Sequence, residues 1–326
     1  MQRSFVSRRF PEAGRRRTKR RQGFSLIEIL VVLTIIALLM SLLLVSIQAA
    51  REAANKVRCA NNLRNLGQGM HHCHVVHKRL PSGGWGWNWT GEPDRGNGTD
   101  QPGGWCYNLL AYIEQDNLHD LGKGQPRAQM KAAAKIRNST PVQQFHCPSR
   151  RSVKAYPNGW GTTQYNADTS TVYGRSDYAA NCGSLLDQNE FFGGPSSLDQ
   201  GDNPGYSWPD TSRLSGVFFQ RSELSFGDIT KGSGSVYAAG EKYLNPDNYF
   251  TGKDAADNEC IYTGFNNDIY RDCYSQPRQD TRGYSNTFLY GSAHRTTFNM
   301  LFCDGAVKAT KYTIALSVHR SQGGRN

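Results

Sequence analysis

No proline occurs between Pro11 and Pro81, so nothing in that stretch forbids a long helix. Charge is nearly absent from residues 24–47, where Glu28 is alone among Leu, Ile, Val and a few hydroxyls. Acids are scarce at the start. The first 23 residues hold nine basic side chains (Arg3, Arg8, Arg9, Arg15, Arg16, Arg17, Lys19, Arg20 and Arg21) against Glu12. Of the formal net charge of +11, that tail accounts for +8 and the other 303 residues for +3. A basic nucleic-acid-binding domain is thereby excluded, and the tail reads as a cytoplasmic tag under the positive-inside rule. Catalytic signatures are missing too: there is no Gly-x-Ser-x-Gly, His-Glu-x-x-His, Gly-x4-Gly-Lys or Cys-x-x-Cys. Nothing indicates an enzyme.

The apolar run of residues 24–47 is what these absences frame. At ~1.5 Å per residue it spans about 36 Å, enough for a bilayer core of ~30 Å. A cleaved secretory signal has an apolar core of roughly 7–15 residues with a small-residue site after it. Here the run is longer and its small residue, Gly23, comes first. The expectation is a single pass with the N-terminus cytoplasmic and everything after about Gln48 on the far side. Eight cysteines follow, Cys59, Cys73, Cys106, Cys147, Cys182, Cys260, Cys273 and Cys303. An even number in an exported domain favours some disulfides, among 105 possible pairings. Cys59 with Cys73 is disfavoured, because 14 residues of helix separate them by about 21 Å.

Helical periodicity continues past the apolar run. Ala50, Ala53, Val57, Ala60, Leu63, Gly67, Met70 and His74 recur at steps of three and four, one face of an amphipathic helix. The spacing predicts one helix from about Phe24 to about Lys78, ended by "RLPSGG". Beyond Pro81, Gly, Asn, Asp and Tyr dominate. Further helices are expected around "GWCYNLLAYIEQDNLHDL" and "QPRAQMKAAAKIRN", with short strands and long loops elsewhere. In "TTFNMLFCDGAVKATKYTI" alternating residues flank Asp304-Gly305, which predicts a hairpin with a two-residue turn. The polar stretch around residues 245–273 reads as a long surface loop that Cys260 and Cys273 could staple. The fold class expected is α+β: a long N-terminal helix on a small antiparallel sheet domain. Its parts are a basic segment (1–23), the membrane half of the helix (24–47), the amphipathic half (48–78) and a glycine-rich domain (79–326).

Glu28 has a bland reading, a carboxylate near the interface and the positive end of a helix, and a functional one, since ionisable groups in a span usually mark function. The stretch "RRQGFSLIE" resembles the leader of type IV prepilins and of the pseudopilins of type II secretion. That resemblance implies cleavage after Gly23 by a membrane aspartic peptidase, methylation of the new N-terminus at Phe24, and an assembly role for Glu28. It implies a prepilin peptidase/N-methyltransferase, other pilin-like subunits and the membrane as partners, with the C-terminal domain outside the inner membrane, periplasmic or extracellular. Glu28 on one subunit would neutralise the amine freed on another, and pairing two buried charges fixes the stagger between subunits.

Further along, "QAAREAANKVRCANNLRNLGQGMHHCH", "GWGWNW", "LLAYIEQDNL", "FHCPS" and "GSAHRTTFNMLFCDGAVK" resemble, in order, a large pseudopilin-like family of unknown function. That family is abundant in planctomycete-type bacteria and carries a C-terminal His-x9-Asp-Gly signature, here His294 with Asp304-Gly305. The resemblance covers essentially the whole chain and implies a pilin-like fold. Two departures stand out: Val45-Ser46 replaces a proline common in the family, which predicts a stiffer span, and "DITKGSGSVYAAGE" keeps only part of the family's pattern.

Other candidates are weighed against plainer roles. His71, His74 and His77, with Cys73, have helical spacing for a metal site but sit at a helix end, where packing explains them as well. Trp85, Trp87 and Trp89 alternate, so an extended strand would align them as a stacking platform for a glycan; core packing is the alternative. A membrane-tethered glycan-binding module is accordingly the second function considered, beside a pilin-like structural subunit. His294 and Asp304 are expected a strand length apart, His294 in a structural hydrogen-bonding role and Asp304 and Gly305 in a turn. No cofactor is expected. Calcium on Asp247, Asp254, Asp257, Glu259, Asp268 and Asp272 would match no calcium-loop template.

Overall fold

The computed structural model describes residues 23–184 and 192–326; of the basic segment only Gly23 lies within them. The chain divides into two units, residues 1–50 and 51–326. The long helix α1 (Leu26–His77) belongs to both, as the lack of proline predicts.

In the first unit every described residue is exposed. The helix there is apolar all round, as a membrane span is, and it is long and apolar enough to cross a bilayer. Its hydroxyls are satisfied by the helix itself: Thr34 donates to the Val31 carbonyl at 2.7 Å, Ser41 to Leu38 at 2.7 Å and Ser46 to Leu42 at 3.1 Å. Such back-bonding is how a hydroxyl is accommodated where water is absent.

In the second unit α1 buries Cys59, Leu63, Leu66, Met70 and Cys73, spaced 4-3-4-3. The predicted stripe holds from Leu63 onward, but Ala50, Ala53 and Val57 are exposed. Small side chains at those positions mimic the period without bearing the core contacts, which shift to the row through Cys59 and Leu66. Each fully buried Leu contributes roughly 1.5–3 kcal/mol. Lys78, at φ 60°, ends the helix.

After α1 come α2 (Trp105–Leu109), a 3-10 turn (Leu110–Tyr112) and α3 (Asp116–His119). One continuous helix was expected here; Glu114 at φ 62° breaks it. The helix α4 (Arg127–Asn138) is as expected. A two-stranded ribbon, β1 (Tyr156–Pro157) with β2 (Val172–Tyr173), precedes the main sheet. The sheet contains β3 (Tyr178–Gly183), β4 (Tyr237–Glu241) and β5 (Tyr270–Asp272), and α5 (Leu198–Asp202) lies between β3 and β4 in sequence. The short parallel pair β6 (Arg278–Gln279) and β7 (Gly291–Ser292) leads to the hairpin β8 (Thr297–Phe302) and β9 (Val307–Lys311). Sheet order is β5-β3-β4-β8-β9, antiparallel except for β3 with β5. This is the expected α+β architecture with two parallel pairs added, β3 with β5 and β6 with β7.

Side chains alternate across β8 as the strand period requires. Leu301 and Cys303 join the core that holds Leu63, Leu66 and Met70 of α1. Phe298, Met300 and Phe302 form a second cluster on the opposite side. There α6 (Leu316–Gly323), a helix not expected from the sequence, covers them through His319.

The hairpin is where it was predicted, but its turn is longer. Phe302 N–H donates to the Ala306 carbonyl at 2.8 Å and Gly305 N–H to Phe302 at 2.9 Å, so three residues, Cys303 to Gly305, make the loop. Only Gly305 of the Asp-Gly pair has positive φ, 85°. This is a type I turn closed by a left-handed glycine, which tolerates Asp304 without strain. The cysteines also depart from expectation. All eight are buried, and among the described residues none is in a disulfide. Cys260 and Cys273 do not staple a loop: Cys260 faces Thr90 and Cys273 faces Asn181, each at 3.9 Å.

His319 generates a prediction. It is fully buried among the rings of Tyr237, Tyr290 and Phe298, and among the described residues neither ring nitrogen has a hydrogen-bond partner. Burial lowers its pKa from 6.5 to about 4. A folded-state value below the unfolded one means its neutral form is favoured by folding; the contribution is complete above pH 6.5 and is lost as pH falls toward 4. His319→Phe, which cannot take a proton, should therefore gain on the wild type below pH 6.5, by as much as ~3 kcal/mol at pH 4. Denaturant unfolding of the detergent-solubilised proteins across this range checks it; parallel curves would contradict the assignment.

Candidate functional site

The N-terminal constellation begins with Gly23, where a Cβ would meet nothing within 4 Å. Phe24 is 83% exposed. Ser25 then caps α1. Its backbone N–H donates to Glu28 Oε2 at 2.8 Å, and the Glu28 N–H donates to Ser25 Oγ at 3.3 Å. This is a reciprocal capping box, Ser-x-x-Glu, satisfying two donors at the helix start. Glu28 lies in the first turn as expected, but its partner Ser25 was missed, although the three-residue spacing was legible. Both bonds arise from Ser25 onward, so a chain beginning at Phe24 retains them.

The tryptophan row does not form. Trp85 and Trp89 are each 1% exposed and only Trp87, at 39%, reaches solvent. The chain turns at residues 87–88, where the Trp89 N–H donates to the Gly86 carbonyl at 3.2 Å and an extended strand was expected. The buried indoles are occupied internally: Trp85 Nε1 donates to the Thr99 carbonyl at 2.7 Å and Trp89 Nε1 to Pro195 at 2.8 Å. Their rings meet edge-on at 5.2 Å, so the row is core and not a stacking surface.

The histidines at the end of α1 are likewise engaged in packing. His71 and His74 lie against Phe226, at 4.5 and 4.6 Å between centroids, and His77 Nε2 bonds the Tyr112 hydroxyl at 2.7 Å. They are not among the described groups of side chains whose ligand atoms converge.

The acidic stretch of residues 245–273 is largely interior, contrary to the surface loop expected. Asp254, Asp257, Glu259, Asp268 and Asp272 are all buried. Asp257 pairs with Arg151 and, at 2.9 Å, with Lys242. Arg151 also reaches Asp177 at 2.9 Å, and Arg150 bridges Asp177 at 3.2 Å and Asp280 at 2.9 Å. Asp254 accepts the Asn245 and Ala256 amides at 3.1 and 3.0 Å, and Asp268 accepts that of Glu259 at 2.6 Å. Burial pushes Asp257 up, but Arg151 and Lys242 hold it well below the usual carboxylate range. Burial raises Asp268 and Asp272 to about 6. Most of these oxygens face cations and amides of the chain, while Asp268 Oδ1 has no hydrogen-bond partner among the described residues; the ligand spacing matches no calcium loop.

His294 and Asp304 are apart, as expected. Asp304 is exposed and accepts the Ala306 amide at 2.9 Å, bracing the turn. His294 is buried between two carboxylates, with Nδ1 2.5 Å from Glu52 Oε1 and Nε2 3.2 Å from Glu241 Oε1. Burial opposes the imidazolium, yet the hydrogen bonds to Cys147 and Glu241 raise His294 to about 11. Glu52, from α1, was not legible as its partner because 242 residues separate them.

A family profile described as "Protein of unknown function (DUF1559)" matches residues 48–317. Another, described as "Prokaryotic N-terminal methylation motif", matches residues 18–44. No curated protein and no solved structure matches the chain.

The buried network carries its own test. Arg151→Met leaves Asp177 and Asp257 short of a counter-ion and should destabilise the protein by ~3–5 kcal/mol. Arg282→Met, at the exposed pair with Asp247, should change stability by less than ~1 kcal/mol. Equal effects in denaturant unfolding would remove the distinction drawn between the two pairs.

Proposed function

The chain belongs to the family described as protein of unknown function (DUF1559), and from that membership and its N-terminal methylation motif we propose that it is a structural subunit of pilin or pseudopilin type. In this reading a prepilin peptidase cuts after Gly23 and methylates the amine of Phe24. The processed chain then joins other pilin-like subunits in a fibre of the type II secretion or type IV pilus kind. The N-terminus enters from the cytoplasmic side of the inner membrane, and residues 51–326 face the periplasm or the outside.

The observation that carries this reading is the geometry at the head of α1. Gly23 leaves the backbone open to a peptidase. Cleavage there liberates an amine four residues from Glu28, and the capping box occupies that carboxylate through Oε2, so Oε1 can meet the amine of a neighbouring subunit. Two charges that would be costly unpaired in an apolar setting become a register device when paired. The exposed apolar residues of the first unit are the surface that a bilayer, and then neighbouring helices, would cover.

Gly23→Trp should abolish the mobility shift of processing when the protein is followed by immunoblot in cells that process the wild type; unchanged processing removes the proposal. Glu28→Ala should leave membrane insertion and cleavage intact while reducing subunit–subunit crosslinking at least tenfold. Undiminished crosslinking would mean that Glu28 serves only its own helix.

A further inference from the structure

Away from the processing end, four side chains from distant parts of the sequence converge inside the second unit. Cys59 comes from α1, Cys147 from the turn after Phe145, Glu241 from the end of β4 and His294 from the link between β7 and β8. Their ligand atoms, two Sγ, one carboxylate oxygen and one ring nitrogen, all lie within 4.8 Å of one another. Cys147 Sγ is 3.7 Å from His294 Nε2, which is 3.2 Å from Glu241 Oε1, and the two sulfurs are 2.6 Å apart. All four residues are at most 2% exposed.

We propose that Cys59, Cys147, Glu241 and His294 bind one zinc ion as a closed, structural tetrahedral site. Two thiolates, an imidazole and a carboxylate are a donor set that suits zinc among divalent ions. Bonds of ~2.3 Å to sulfur and ~2.0–2.2 Å to nitrogen and oxygen place tetrahedral donors about 3.3–3.8 Å apart. The Cys147–His294 and His294–Glu241 distances are already close to that, and the two sulfurs would part by about an ångström. Four protein ligands leave no open position, which marks a structural and not a catalytic site.

The surroundings are those of a ligand shell. His294 turns Nε2 toward the cluster because Nδ1 is held by Glu52, whose other oxygen accepts from Ser149 Oγ at 2.6 Å. A carboxylate behind a histidine in this way orients the ring and strengthens it as a ligand. Glu241 is fixed by the Asn299 amide, which donates to Oε2 at 2.7 Å. On binding, zinc displaces both thiol protons and the Nε2 proton of His294, which pass to solvent; no electron moves. The ion would tie α1 to the sheet through Cys59 and Glu241, independently of whether the subunit enters a fibre.

The full-length wild-type protein, purified in detergent without chelator, decides the matter by elemental analysis together with mass-spectrometric alkylation of its cysteines. The expected result is about one zinc per chain, with Cys59 and Cys147 both reduced and alkylated at least tenfold faster after the metal is stripped. Cobalt in its place should give the absorption of a tetrahedral thiolate complex, lost in His294→Ala. A Cys59–Cys147-linked peptide without metal would show that the pair is a disulfide and overturn the site. So would free thiols that take up no zinc when it is supplied, or zinc that survives the paired change Cys59→Ser and Cys147→Ser.

Discussion

A carboxylate at the head of an otherwise apolar helix needs donors, because an unpaired charge in such a setting is costly. Ser25 supplies one from its backbone and takes one back through its hydroxyl. The result keeps Glu28 folded against the first turn of α1 in a conformation that cleavage after Gly23 leaves untouched. In the proposed fibre the second donor comes from outside the chain, as the amine of another subunit. The same group that caps a helix would thus set where one helix stops against the next.

The second unit solves the opposite problem, placing charge in a dry interior. Residues 145–151 are its hub. Phe145 enters the apolar core, Cys147 faces Cys59 and His294, and Arg150 and Arg151 reach Asp177, Asp257 and Asp280. Every cation in this group has an acid from another segment, so the network joins the loop before β5 to β3 and β4. Buried pairs of this kind add little net stability but penalise any packing that separates them.

What was legible in the sequence is what local rules decide. The long helix, α4, the hairpin at Asp304-Gly305 and the change of character after Pro81 follow from periodicity, proline and turn residues. The leader and the chain-long resemblance carried the family. What failed depended on distance. Asp257 looked solvated because its neighbours in sequence are acidic, while Arg151 lies 106 residues away. Trp85, Trp87 and Trp89 looked like a row because alternation was assumed across what is a turn at residues 87–88. Ala50, Ala53 and Val57 fitted the helical period, but period alone does not say where the covering domain begins. The convergence of His294 with Glu52, Glu241 and Cys147 joins segments 53 to 242 residues apart, and no local pattern announces it.

Determining the amino terminus of the protein extracted from its native membrane tests the central claim most directly. Intact-mass and terminal-peptide spectrometry should find a chain that begins at Phe24 and carries one methyl group on its amine. A chain that still begins with the basic segment would contradict it, since no amine would then exist for Glu28 to meet.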